Sequence, residues 1–293
     1  MVTRDNAWPA GTPCWVDLGV DDIGRARAFY GGLFGWDIQE GPPEAGGYSM
    51  CEVNGRPVAG IGPKMGADAA PAAWTTYIAS DDADRTVSEI KAAGGRVLVE
   101  PMDVLDVGRM AVAADPGGAV FGVWQARSHT GARLANEPGS LTWNENMSRD
   151  FDRNKDFYGD VFGYDYGDLS SDGFSYATAD IEGRPVAGIG ELDPDLPAEV
   201  PANWAAYFGV ADADAAVARA VELGGSVVRA AWDTPYGRMA VLADDQGAVF
   251  AIASSSAEPA GQADQGGQAE PAGQADQAGQ AEPAGQAEPA EPG

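Results

Sequence analysis

The chain repeats itself, and the repeat limits the folds open to it. Val53-Asn54-Gly55-Arg56-Pro57-Val58-Ala59-Gly60-Ile61-Gly62 returns as Ile181-Glu182-Gly183-Arg184-Pro185-Val186-Ala187-Gly188-Ile189-Gly190. Phe29-Tyr30-Gly31-Gly32-Leu33-Phe34-Gly35-Trp36 returns as Phe157-Tyr158-Gly159-Asp160-Val161-Phe162-Gly163-Tyr164, and Gly108-Arg109-Met110-Ala111-Val112 returns as Gly237-Arg238-Met239-Ala240-Val241. Matches this long at a near-constant offset mark a duplication. Each half divides again. Trp15, Trp74, Trp143 and Trp204 each sit in a short apolar stretch just ahead of an amphipathic helix.

Within one half the order is strand, helix, strands, twice over. Residues 13–20 read as a strand. Asp22 caps a helix whose stripe is Ile23, Ala26, Phe29, Tyr30, Leu33 and Phe34, closed by Gly35. Residues 47–53 alternate like a strand, Asn54-Gly55 marks a hairpin, and 57–62 returns. A strand at 74–79 leads to a helix opening at Asp81 or Asp82 and ending at Gly94-Gly95. Strands at 96–100, 109–114 and 119–124 follow, the last two joined by the turn Asp115-Pro116-Gly117-Gly118. The expected fold is α+β: four βαβββ units forming two tandem domains, 8–125 and 140–254, joined by a polar linker, 126–139. From residue 255 the chain becomes an acidic tail of hexads built on Ala, Gln, Pro and Gly. The hexads hold no aliphatic residue to stack, so the tail is expected to be disordered.

A net charge of −27 over 293 residues repels phosphates and anionic lipid, so neither nucleic acid nor membrane is an expected partner. No apolar run is long enough to span a bilayer. The start of the chain has no signal-like apolar stretch, which points to the cytoplasm. Two cysteines, Cys14 and Cys51, make neither a disulfide framework nor a zinc site.

Four such units, with a strand like Trp143-Asn144-Glu145, a helix end like Phe29-Tyr30 to Phe34-Gly35, and an ending like Gly108–Val112 followed by Asp115 and Gly118-Ala119-Val120-Phe121, resemble the vicinal oxygen chelate superfamily. That group includes glyoxalase I, bleomycin-resistance proteins and extradiol dioxygenases. The chain is similar to two-domain bacterial members described as hydroxylase-like or glyoxalase-like, some of them encoded in polyketide antibiotic pathways. The resemblance implies two half-barrels, each drawing metal ligands from the first and last strands of its two units. Carried onto this sequence, those places are Trp15, Gly60, Trp74 and Gly122, then Trp143, Gly188, Trp204 and Ala251. None offers the imidazole or carboxylate such metals take. The one histidine, His129, falls in the linker and reads as a solvated surface residue. A metal-independent protein with no cofactor is expected.

A large ring facing bare backbone makes a flat slot, which suits a planar apolar ligand. Strand parity puts Asp17 beside Trp15 and Glu145 beside Trp143, as candidate acids or bases. Tyr48 and Tyr176, Tyr77 and Tyr207, and Arg109 and Arg238 are equivalent pairs able to hydrogen-bond a ligand. Each has a plainer reading. The indoles can fill the core, the acids can accept backbone N–H bonds, and the arginines can pair with a nearby Asp.

The function expected is binding of a small aromatic or polyketide-like molecule, for resistance, sequestration or support of secondary metabolism. The alternative is a cofactor-free tailoring enzyme, such as an isomerase or cyclase, using Asp17 or Glu145 as acid or base. A fully packed scaffold is a third reading. A metal enzyme that recruits acids such as Asp17 or Glu145 is a fourth. Two halves in one chain bury a face that single-domain relatives use to pair, so a monomer or weak homodimer is expected.

Overall fold

The structure is a computed structural model that describes residues 2–64, 71–171 and 173–255. The hexad tail lies outside the described residues. A two-residue strand, β1 (Val2–Thr3), precedes the first half. Its first unit is β2 (Pro13–Val20), α1 (Ile23–Phe34), β3 (Asp37–Glu40), β4 (Ser49–Val53) and β5 (Arg56–Pro63). The second is β6 (Ala73–Ala79), α2 (Ala83–Ala92), β7 (Arg96–Val104), β8 (Gly108–Ala114) and β9 (Val120–Ala126). A short β10 (Leu134–Ala135) leads into the other half. There the third unit is β11 (Leu141–Ser148), α3 (Phe151–Phe162), β12 (Asp165–Asp168), β13 (Tyr176–Ile181) and β14 (Arg184–Glu191). The fourth is β15 (Asn203–Gly209), α4 (Ala213–Glu222), β16 (Ser226–Thr234), β17 (Gly237–Ala243) and β18 (Val249–Ser254). The four expected units are therefore present.

Local chemistry explains the boundaries. Asp22, Asp82, Asp150 and Asp212 each cap a helix by accepting the N–H three residues on. Asn54 and Gly55 both take positive φ, 53° and 72°, as the tight hairpin turn between β4 and β5 requires. Each half closes into one eight-strand path, β3-β4-β5-β2-β6-β9-β8-β7 in the first and β12-β13-β14-β11-β15-β18-β17-β16 in the second. The first strands of the two units meet antiparallel at the centre, and the last strand of each unit lies parallel beside its own first strand. Among the described residues no helix is long and apolar enough to cross a membrane.

The helix-bearing faces of the two halves meet. Phe29, Tyr30, Phe34, Trp36 and Trp74 of the first half pack with Phe208 and Phe250 of the second. Phe121 of the first packs with Phe157, Tyr158 and Phe162 of the second. A chain of hydrogen bonds crosses this core twice. Trp74 Nε1 donates to Tyr30 Oη at 3.0 Å, and Tyr30 Oη donates to Asp244 Oδ2 at 3.1 Å. Reciprocally, Trp204 Nε1 donates to Tyr158 Oη at 2.7 Å, and Tyr158 Oη donates to Asp115 Oδ2 at 3.0 Å. The other oxygen of each aspartate accepts the N–H that closes its own turn, from Ala119 and from Ala248, at 2.9 Å.

This settles where Trp74 and Trp204 point, and it corrects the expectation that they wall the concave faces. Trp74 sits opposite Leu18 and Trp204 opposite Asn146. Opposed residues on neighbouring strands share a face, and Leu18 belongs to the helix side. Both indoles therefore fill the core between the halves. Trp74→Ala or Trp204→Ala should lower the unfolding free energy by about 3–5 kcal/mol in a denaturant titration. An unchanged midpoint would contradict a core role.

Candidate functional site

The opposite face of each sheet is concave, and register builds it. In the first half Trp15 pairs with Tyr77, Tyr77 with Gly122, Gly122 with Val112, and Val112 with Val99. In the second the same row reads Trp143, Tyr207, Ala251, Val241 and Arg229. Asp17 and Glu145, two residues beyond their tryptophans, lie on the same face as those indoles and pair with Gly60 and Gly188. The structure thus gathers Trp15, Asp17, Tyr48, Gly60 and Gly122 in one place, and Trp143, Glu145, Tyr176, Gly188 and Ala251 in the other. Both sites lie within a half, not between halves.

At the centre of each is a carboxyl group among phenols. Tyr176 Oη donates to Glu145 Oε1 at 2.7 Å, Tyr207 Oη donates to Glu145 Oε2 at 2.8 Å, and Trp143 Nε1 donates to Tyr176 Oη at 3.1 Å. In the first half Trp15 Nε1 donates to Tyr48 Oη at 2.9 Å, and Tyr48 and Tyr77 flank Asp17. Burial pushes Asp17 up to about 7, against the Tyr77 and Tyr48 hydroxyls, which favour its ionised form. Burial raises Glu145 too, opposed by Tyr176 and Tyr207. The four phenols are held well above their ordinary range, by burial first and the neighbouring carboxylate second. They remain protonated donors.

The glycines serve these tyrosines. A methyl group at Gly60 would overlap the Tyr48 hydroxyl, one at Gly122 the Tyr77 ring, and one at Gly188 the Tyr176 hydroxyl. The expected open slot over bare backbone is thus corrected at these three positions, because phenol rings fill it. Tyr77 and Tyr207, an equivalent pair in the sequence, stand directly beside the first-strand tryptophans Trp15 and Trp143.

The residues present do not fit the divalent cation that the fold implies. Each cluster has one carboxyl group, and in the second half both its oxygens already accept phenol protons. Among the described residues no group of three or more His, Cys, Asp or Glu converges to hold a metal. A cation would have to displace the tyrosines and still find only one anionic ligand.

Arg109 and Arg238 lie elsewhere. Arg109 binds Asp84 at 2.8 Å and Asp103 at 3.0 Å, while Arg238 binds Asp214 at 2.8 Å and Asp233 at 2.9 Å. Each ties a helix to an edge strand, as the plainer sequence reading had it, and the expectation of a ligand contact is corrected for both.

The two concave faces differ in cover. Trp15 and Trp124 are buried, 3% and 7% exposed. Trp143, Trp232, Tyr236 and Ala253 are only half-buried. The linker makes the difference, because it straps the first half. Trp124 Nε1 donates to the His129 carbonyl at 2.9 Å, Ala132 N to the Cys14 carbonyl at 2.8 Å, and Trp8 Nε1 to the Ala132 carbonyl at 2.9 Å. The His129 ring stands edge-on to Trp15, with centroids 4.4 Å apart, and to Trp124 at 5.4 Å. Its Nε2 is buried without a hydrogen-bond partner, and burial lowers its pKa to about 4. His129 is thus a neutral packing residue over the site, a correction to the solvated role expected for it. Nothing in the linker sequence signals that burial, which is wholly tertiary.

Fold and site together define a tandem glyoxalase-like α+β protein. The family model described as "Glyoxalase/Bleomycin resistance protein/Dioxygenase superfamily" matches residues 14–123 and 145–252, and the chain belongs to that superfamily. It is 42% identical over 248 residues to CFP32 of Mycobacterium tuberculosis (strain CDC 1551 / Oshkosh), a protein with a provisional glyoxylase name, covering 83% of this chain and 94% of that one. It is 41% identical over 256 residues to the anthracycline biosynthesis protein DnrV of Streptomyces peucetius, covering 83% and 92%. Among solved structures, the Mn(II)-bound glyoxalase from Novosphingobium aromaticivorans shares the fold with a TM-score of 0.58 at 18% identity, covering 84% of this chain and 82% of that one. The 2,3-dioxygenase LapB from Pseudomonas sp. KL28 shares it with a TM-score of 0.59 at 14% identity, covering 87% and 95%.

The Asp17 shift fixes a pH dependence. A carboxyl whose folded pKa is raised binds its proton more tightly folded than unfolded. Its stabilisation is full below about pH 4 and is lost as pH rises through about 7. Relative to Asp17→Asn, the wild-type chain should lose on the order of 2 kcal/mol of stability across that window, allowing for screening at a partly open position. Paired denaturation curves from pH 4 to 8 measure this. A constant difference would show that Asp17 has an ordinary pKa.

Proposed function

We propose that this chain is a metal-independent, glyoxalase-like protein that binds a planar aromatic or polyketide-like small molecule on a concave face. The observation that carries the reading is the Glu145 cluster. Where the fold's metal would stand, a buried carboxyl group is held by Tyr176 and Tyr207 beside the Trp143 indole. An indole wall with phenol and carboxyl groups recognises flat molecules bearing carbonyl or hydroxyl groups. DnrV, named for anthracycline biosynthesis, supports a ligand of the polyketide kind.

Asp17 supports the second reading, a cofactor-free tailoring enzyme. A carboxyl group pushed up to about 7 and only half-buried is poised to take or give a proton at neutral pH. Asp17→Asn or Glu145→Gln would then keep ligand affinity and stop turnover. Activity surviving both substitutions would end this second reading.

The binding reading is tested by tryptophan fluorescence with planar polycyclic quinones as probes, before and after exhaustive dialysis against EDTA. Saturable quenching that EDTA leaves unchanged is expected, with no rise in melting temperature when Mn²⁺, Ni²⁺ or Zn²⁺ is added. Quenching that disappears with EDTA and returns with a metal would overturn it.

A further inference from the structure

We infer that residues 127–133 form a displaceable strap, and that its His129 ring occupies the aromatic slot of the first half and keeps a planar ligand out of it. The inference rests on the proposed binding of aromatic molecules and adds a regulation of one of the two sites. The second half takes a ligand directly, and the first takes one only when the strap lifts.

The duplication supplies an internal control, because the same strand positions are filled twice with different residues. In the first half the His129 imidazole stands edge-on to Trp15 and to Trp124, with centroids 4.4 and 5.4 Å apart. Edge-on contact with an indole is a favoured aromatic geometry, so the imidazole holds a place that a ligand ring would otherwise take. Trp124 pairs with Met110, and the counterpart that pairs with Met239 is Ala253. The second floor thus has a methyl group where the first has an indole. Trp143 and Ala253 are half-buried, whereas Trp15 and Trp124 are buried.

The strap is held by polar bonds and weakly anchored otherwise. The Arg127 and His129 amides donate to the Val107 carbonyl at 3.1 Å, and the Ala132 and Arg133 amides donate to the Cys14 and Pro57 carbonyls at 2.8 Å. Its sequence is Arg127-Ser128-His129-Thr130-Gly131-Ala132-Arg133, in which Ala132 is the one aliphatic side chain. Its ion pairs, Arg127 with Asp103 and Arg133 with Asp5, are open to solvent and contribute little. Thr130 lines two cavities, one of about 130 Å³ with Trp8, Cys14 and Trp124, and one of about 310 Å³ with Pro57, Val107 and His129. Such loose packing lowers the cost of local opening. The closed position also buries two polar atoms, His129 Nε2 and Arg133 Nε, with no hydrogen-bond partner. Water would satisfy both once the strap lifts, so closure is opposed by its own unmet polar groups. Gly131 presses the strap onto β2. It takes a φ of +92°, and a methyl group there would lie 2.5 Å from the Cys14 carbonyl oxygen.

The test has two arms, both on the full chain. Without a ligand, amide hydrogen exchange at His129, Ala132 and Arg133 should run about a hundredfold or more faster than at the paired amides of β2, because the strap opens while the sheet stays folded. Exchange as slow as that of β2 would overturn the inference. With 2-naphthol as the probe in isothermal titration calorimetry at pH 7.5, the wild-type chain should bind one equivalent, and a second at least about tenfold more weakly. His129→Ala, which empties the slot, and Gly131→Ala, which lifts the strap from β2 without altering a residue of the concave face, should each bring the second equivalent close to the first. His129→Phe, which refills the slot with a ring, should keep the second equivalent weak. Two equal equivalents in the wild-type chain, or a second that both alanine variants leave as weak as before, would remove the strap and keep the aromatic-binding reading. No binding by any of the chains removes both.

Discussion

The molecule is organised by a hydrogen-bonded chain of Trp, Tyr and Asp that passes between its halves twice. Asp244 receives Tyr30 from the other half, and Asp115 receives Tyr158. Each aspartate also closes its own turn through its other oxygen, so one side chain ties a turn of one half to a helix of the other. Buried polar groups are costly unless satisfied. These are satisfied only when the two halves dock in one way. The Phe-Tyr of the helix and the Asp-x-x-Gly of the last hairpin, which carry so much of the resemblance to the superfamily, therefore carry architecture. They tell nothing of a substrate.

With the helix side committed to the core, the pleat turns alternate residues of each strand to the concave face. Residues two apart share a face and residues three apart do not. The same strand β6 thus sends Trp74 into the core and Tyr77 to the concavity, and β15 does likewise with Trp204 and Tyr207. On the concave side a carboxyl group is surrounded by protonated phenols. Burial raises the carboxyl pKa in each cluster, and the phenol hydroxyls beside it oppose that shift. The clusters also explain Gly60, Gly122 and Gly188, which keep the space that the tyrosine rings need.

Much of this was legible in the sequence. The duplication, the four βαβββ units, the Asp caps and the Asn54-Gly55 hairpin are local signals, and local signals survive in a linear reading. The short polar strands Asp37–Glu40 and Asp165–Asp168 carry no such signal and emerge only from pairing. The face that Trp74 and Trp204 take follows strand parity from Tyr77 and Tyr207, three residues on, and not the recurrence of tryptophan at matching places. The burial of His129 depends on where the linker folds back, and the row from Trp143 to Arg229 spans five strands. No window of sequence contains either. The two halves are near copies in motif and unlike in cover, so duplication predicts the fold of the second site better than its use.

In each half a buried carboxyl group among phenols, with its pKa raised, stands where a metal centre would be. The most direct measurement is a carbon-13 NMR titration of the side-chain carboxyl signals of Asp17 and Glu145, with and without added Mn²⁺. The Asp17 carboxyl should titrate near pH 7, Glu145 should titrate above its ordinary value, and neither signal should broaden selectively with the paramagnetic ion. Ordinary carboxylate titration together with selective broadening of either signal by Mn²⁺ would contradict this assignment.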